Sequence, residues 1–193
     1  QSFLLRGSGQ DGDRTRMRDS VLQTLAENTS VMYQETELCV LYINGEYWGH
    51  YNMRERAGYK AVAQHEGWEN PDDIDMVESD GLSSSQVNHG SNSDFKALYE
   101  YAKEHDPATD PEAYEYLCSQ IDVDNMIDYF IFESFFGNTD PGNIRIYRNA
   151  KSGDGKWRFL FYDSDWGFFS VTNSDGSMVG GIGFMLDEDG MGH

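Results

Sequence analysis

Apolar and polar positions along this chain fall into short blocks whose period changes from one block to the next. Phe3-Leu4-Leu5-Arg6 reads as a strand, and Gly7-Ser8-Gly9-Gln10-Asp11-Gly12-Asp13 as the turn-rich loop that follows it. Residues 18–27 carry Val21, Leu22 and Leu25 on one side of a 3.6-residue period, which predicts a helix with those three facing inward. Residues 38–44 and 47–54 read as strands joined by Asn44-Gly45, a pair that tolerates positive φ and so signals a hairpin. A helix is predicted over 57–66. Residues 70–93 are polar and read as an exposed loop or lid, with room for a short strand over 74–78. Helices follow over 93–104, with Ser93 as its cap, and over 111–120, where Pro111 suits the first turn. The most apolar helix spans 122–136 and ends at Gly137. Its predicted inward stripe is Met126, Ile127, Phe130, Ile131, Ser134 and Phe135. Residues 144–148 and 157–162 then form a second hairpin. The aromatic residues Tyr42, Trp48, Tyr51, Phe130, Phe135 and Trp157 are expected in the core. The sum is an α+β domain with a short sheet after a helical region.

Composition narrows the partners. The chain has 193 residues and a formal net charge of −20, so nucleic acid is a poor partner because its phosphates would be repelled. No stretch is apolar enough over a bilayer's width to span a membrane. The opening residues read as the middle of a strand, so the chain is expected to be truncated at its N-terminus. Cys39 and Cys118 lack metal-ligand spacing and are expected to be buried free thiols.

Two acidic segments stand out. Asn138-Thr139-Asp140-Pro141-Gly142-Asn143 leads into Ile144-Arg145-Ile146-Tyr147-Arg148, and Trp157-Arg158-Phe159-Leu160-Phe161-Tyr162 leads into Asp163-Ser164-Asp165. Each sets carboxylates or amides at the edge of an apolar β-like run. That arrangement can hold oxygen ligands for a hard divalent cation and leave one carboxylate over as a base. Asp140, in a sharp turn after the core helix, is the candidate base. Asn143 and Asp163 are candidate metal ligands, and Asp165 points to the side of Asp163 by the two-residue strand period. The same residue types also make plain turns, so spacing alone leaves the metal site open.

These segments, running on through Trp166-Gly167-Phe168, resemble the CotH kinase family. So do Phe3-Leu4-Leu5-Arg6-Gly7 with Asp11 and Arg18-Asp19, and the hairpin Tyr42-Ile43-Asn44-Gly45-Glu46-Tyr47-Trp48-Gly49-His50-Tyr51-Asn52-Met53-Arg54-Glu55. The resemblance runs over 1–169. Residues 170–193 form a Gly- and Met-rich tail, expected to be partly ordered. It implies an atypical protein-kinase-like fold whose members use ATP and Mg²⁺ or Mn²⁺ to phosphorylate Ser of secreted, cell-surface or spore-coat proteins. That would place the protein outside the cytoplasm. By position, Asp140 matches the catalytic Asp, Asp163 the metal-binding Asp and Asn143 the metal-binding Asn. No Gly-rich loop precedes a Val-Ala-x-Lys strand. The cation for the phosphates is therefore expected to be Arg6, with Arg18 second and Glu55 as the anchoring acid. Two other readings stand beside this one. One is a non-catalytic cation-binding scaffold or interaction module of an extracellular or coat assembly. The other is a metal-dependent phosphohydrolase on the same carboxylates.

Overall fold

The computed structural model describes residues 2–80, 85–138, 143–168, 171–172 and 178–179. Among them, two larger antiparallel sheets and five helices form the α+β arrangement that the segment pattern predicts. Strands β1 (Phe3–Arg6), β2 (Thr36–Ile43) and β3 (Glu46–Glu55) make the first sheet, in the order β1-β3-β2. β2 and β3 are the predicted hairpin, and Asn44 and Gly45 adopt φ of 52° and 85° at its tip. Helix α1 (Arg18–Leu25) follows β1, and helix α2 (Tyr59–Glu66) follows β3.

The second sheet contains β4 (Ile74–Asp80), β5 (Ser85–His89), β6 (Asn143–Asn149) and β7 (Arg158–Leu160), ordered β5-β4-β6-β7. Three helices lie between its halves in sequence: α3 (Ser93–Glu104), α4 (Pro111–Gln120) and α5 (Val123–Phe136). Alternate residues of this sheet enter two different cores. Ile74, Met76, Tyr147 and Leu160 pack with Val62 and Ala63 of α2. Val77, Ile146 and Phe159, with Phe161 just past β7, pack with Phe95 of α3 and with Tyr129 and Phe136 of α5. Burial on both faces makes this sheet the centre of the fold, whereas antiparallel sheets commonly leave one face to water. A two-residue ladder joins β8 (Val171–Thr172) to β9 (Met178–Val179).

Local chemistry sets the helix ends. Asp110 accepts from the Glu112 and Ala113 N–H groups at the start of α4, where Pro111 costs no bond. Asp122 accepts from Asn125 N–H to start α5, and Gly137 ends it in the left-handed region. Ser93 is the first residue of α3 rather than its cap; Asn92 holds that position and makes no side-chain capping bond.

Several expectations about packing are corrected. Within 70–93 the short strand expected over 74–78 is present as β4, and the remaining described residues add β5 rather than a lid; β4 is an interior strand of the central sheet. Its interior place is hidden by the buried Asp75, whose carboxylate is paired with Arg148 directly across the ladder at 3.0 Å. Helix α5 turns Asn125, Tyr129, Glu133 and Phe136 inward and leaves Ile127, Ile131 and Phe135 exposed. Asn125 outcompetes the apolar stripe because it donates to Ser30 O and Phe159 O and accepts from Phe159 N–H at 2.6 Å. Helix α1 buries Leu22 but exposes Val21 and Leu25, since its inner face carries Asp19, Ser20 and Gln23. Tyr42 and Trp48 lie on the exposed part of the first sheet, not in the core. Cys39 and Cys118 are free but only half-buried. Among the described residues, no helix is long and apolar enough to cross a membrane.

Candidate active site

The inner face of the first sheet is polar where α1 crosses it. Register places Arg6 opposite Asn52 and Leu4 opposite Arg54, so the two arginines project from the same face of neighbouring strands. Asp19, in the first turn of α1, meets both. Its Oδ2 lies 2.5 Å from Arg54 Nη1 and 3.4 Å from Arg6 Nη1. Its Oδ1 accepts from the Ser164 N–H at 3.2 Å and the Ser164 hydroxyl at 2.7 Å. Burial pushes the Asp19 carboxyl up. Arg54 first, then the Ser164 bond and Arg6, outweigh that and hold it below the usual carboxylate range.

Ser164 separates the two aspartates expected to hold metal. Asp163 and Asp165 both accept from Arg6 Nη2, the latter at 2.7 Å. Asp165 Oδ2 also accepts from the Gln10 N–H at 3.0 Å. The loop from Gly7 can come this close because Gly9 has no side chain: it adopts φ of 52°, and a Cβ there would sit 1.9 Å from Asp165 Oδ2. Asp163 itself takes φ of 57°, an uncommon left-handed value that Asp tolerates better than most residues. Burial first, and then the neighbouring Asp163, raise the Asp165 carboxyl above its ordinary value, against the pull of the Gln10 N–H and Arg6. Asp19, Asp163 and Asp165 thus face two guanidinium groups, Arg6 and Arg54.

A cleft of about 770 Å³ opens beside this cluster, between the two sheets and the start of α2. Leu4, Arg6, Arg54 and Glu55 line it from the first sheet, and Arg145, Tyr162 and Asp163 from the second. The segment Arg56 to Ala61 closes the remaining side. Its walls are rich in cations although the chain carries a net charge of −20. Among the described residues, Arg56 and Lys60 have no carboxylate partner. Arg145 lies 4.1 Å over the Tyr162 ring and pairs with Glu78 at 2.8 Å. Arg54 is the telling residue. Its side chain is 1% exposed, and its Nε and Nη2 are buried with no hydrogen-bond partner among the described residues. Orphaned donors of this kind are costly unless a ligand satisfies them.

A family model described as CotH kinase protein matches residues 1–190. The chain belongs to the CotH kinase family. No curated protein matches it. Membership points to kinase-type activity, with ATP and a divalent metal as its general requirements. Guanidinium groups of Arg6, Arg54 and Arg145 on the cleft wall are the chemistry that phosphate oxygens take. Asp163 on that wall is a carboxylate of the kind a phosphate-bound Mg²⁺ takes, while among the described residues no group of three or more His, Cys, Asp or Glu is placed to hold a metal alone.

Of the residues singled out beforehand, Arg6, Asp163 and Asp165 come together as one cluster. Asn143 opens β6 two residues before Arg145, whose partner is Leu160, so it lies at the end of the sheet where Asp163 follows β7. Asp140 lies outside the described residues. Glu55 lines the cleft but does not anchor Arg6; it bonds His65 at 2.7 Å. Asp19 has that role instead, because α1 brings it under both arginines. Arg18 points elsewhere and lies 3.8 Å from Asp11. Asp11 accepts from the Thr15, Met17 and Arg18 N–H groups, which fixes the entry to α1. Asp19, Arg54 and Arg145 were not expected at the site. The available signal was Arg54 two residues from Asn52 in the second strand of the hairpin, a period that sets both polar groups on one sheet face.

Proposed function

We propose that the chain is an ATP- and divalent-metal-dependent protein kinase that phosphorylates Ser of a secreted, cell-surface or spore-coat protein. The observation that carries this reading is the cleft walled by Arg6, Arg54, Arg145 and Asp163, with two buried Arg54 donors left unpaired among the described residues. Arg54 and Arg6 would hold phosphate oxygens, and Arg145 would add charge from the second sheet. Asp163 would hold the metal, with Asn143 and Asp165 beside it. Mg²⁺ or Mn²⁺, when bound, neutralises phosphate charge and orients the γ-phosphoryl group.

Asp140 is assigned the base on its position in the family motif. It would accept the Ser hydroxyl proton as the Ser oxygen bonds the γ-phosphorus and the bond from that phosphorus to the bridging β-oxygen breaks. The products are phosphoserine and ADP, and the proton stays on Asp140 until solvent takes it. The test is incubation with γ-labelled ATP, Mg²⁺ or Mn²⁺ and a Ser-rich acceptor. Label is expected on Ser of the acceptor. It should be lost in Asp140→Ala and Asp163→Asn, while the fold persists. Full transfer by either variant would remove the assignment. Label released as phosphate without any phosphoprotein would favour the phosphohydrolase instead.

A further inference from the structure

Arg6 occupies the space between the two carboxylates that the proposed reading gives to the metal. Its Nη2 donates to Asp163 and, at 2.7 Å, to Asp165, while its Nη1 stays 3.4 Å from Asp19. The same guanidinium lines the cleft proposed for phosphates. One group therefore faces two sites of opposite preference. While it grips the carboxylates, their charge is partly neutralised and their inward oxygens are taken. When it turns to a phosphate, those oxygens are released.

We infer that Arg6 is an electrostatic gate that makes metal binding depend on nucleotide binding. This inference rests on the proposed reading of Asp163 and Asp165 as metal ligands. Without nucleotide, Arg6 holds both aspartates and bare divalent cation binds weakly. Nucleotide phosphates draw the guanidinium off, and the freed carboxylates turn to the cation. Asp19 is what allows the exchange. It keeps one edge of Arg6 paired throughout, and its own charge is shared with Arg54, so Arg6 can pivot without becoming a lone charge. The coupling is reciprocal, so metal tightens nucleotide by the factor by which nucleotide tightens metal. The gate also protects the resting protein. Without Arg6, Asp163 and Asp165 would stand side by side as unneutralised like charges.

The test is a Mn²⁺ titration, read by paramagnetic relaxation of water protons, with no nucleotide present. Wild-type protein is compared with Arg6→Gln and with Arg6→Gln carrying Asp163→Asn as well. Arg6→Gln is expected to bind bare Mn²⁺ roughly 10-fold more tightly than wild type, within the usual range of coupling factors. Adding Asp163→Asn to Arg6→Gln should lose that binding. A non-hydrolysable ATP analogue added without metal should bind Arg6→Gln more weakly than wild type. Equal or weaker Mn²⁺ affinity in Arg6→Gln would overturn the gate, even with nucleotide binding intact. Tighter Mn²⁺ binding in Arg6→Gln, with no ATP binding by either protein, would keep the competition at the carboxylates but sink the kinase reading. Should Arg6→Gln fail to fold, the guanidinium ¹⁵N signals of wild-type Arg6 serve instead. They are expected to shift when the ATP analogue is added, and unchanged signals in nucleotide-saturated protein would overturn the proposal.

Discussion

Asp19→Asn is the sharpest perturbation of the site's framework. The substitution keeps shape and one acceptor oxygen but removes the charge facing Arg54 and Arg6. The Asp19 side chain is 4% exposed and that of Arg54 1%, so water cannot replace the lost partner. Breaking a buried pair from one side costs about 3–5 kcal/mol. The amide oxygen retains part of the bonding to Ser164 and Arg54, which brings the expected loss to about 2–4 kcal/mol. For a chain of this length that is a fall in Tm of roughly 5–15 °C. Urea unfolding followed by circular dichroism measures it, with the m-value checked for constancy. Glu55→Gln is the control. Its partner His65 and Glu55 itself are partly exposed, and the expected change is about 0–1 kcal/mol. A loss below about 0.5 kcal/mol in Asp19→Asn would refute the claim that this carboxylate anchors the two arginines.

Other outcomes follow from the same geometry. Because the folded Asp19 and Asp11 carboxyls lie below their unfolded values, the stability they add is present above pH about 4 and is lost as pH falls further. Acid titration of Asp19→Asn should therefore show a shallower loss between pH about 4 and 2 than wild type, and identical acid limbs would contradict the assignment. Gly9→Ala combines a positive φ with a Cβ inside contact distance of Asp165; it should cost about 1–3 kcal/mol in thermal unfolding and weaken metal–nucleotide binding together. Asn125→Ala removes the bonds to Phe159 and Ser30 under α5, and about 2–4 kcal/mol should be lost in chemical denaturation with no change in nucleotide affinity beyond that of stability.

Much of the fold is legible because its boundaries rest on local chemistry. Asn44-Gly45, Pro111 and Gly137 each carry their backbone demand in one or two residues, and each stands where the pattern predicts. What is hidden depends on partners distant in sequence. Asp75 makes the strand expected over 74–78 look exposed until Arg148 is placed across from it. Asn125 stands outside the apolar stripe predicted for its helix, and its inward place shows only once β7 supplies its bonds. The site divides in the same way. Asp163 and Asp165 stand out as a short motif after a strand. Asp19 and Arg54 do not, since nothing local shows that a helix and a strand 35 residues apart in sequence bury them against each other.

The central claim is that the cleft beside Asp163 receives the phosphates of a nucleotide. A crystal structure of the chain with a non-hydrolysable ATP analogue and Mg²⁺ tests it most directly. The account predicts phosphate oxygens within hydrogen-bond distance of Arg54 Nε and Nη2 and a metal on the Asp163 carboxylate. A nucleotide bound elsewhere, with those Arg54 donors still unsatisfied and Arg6 still holding both aspartates, would contradict it.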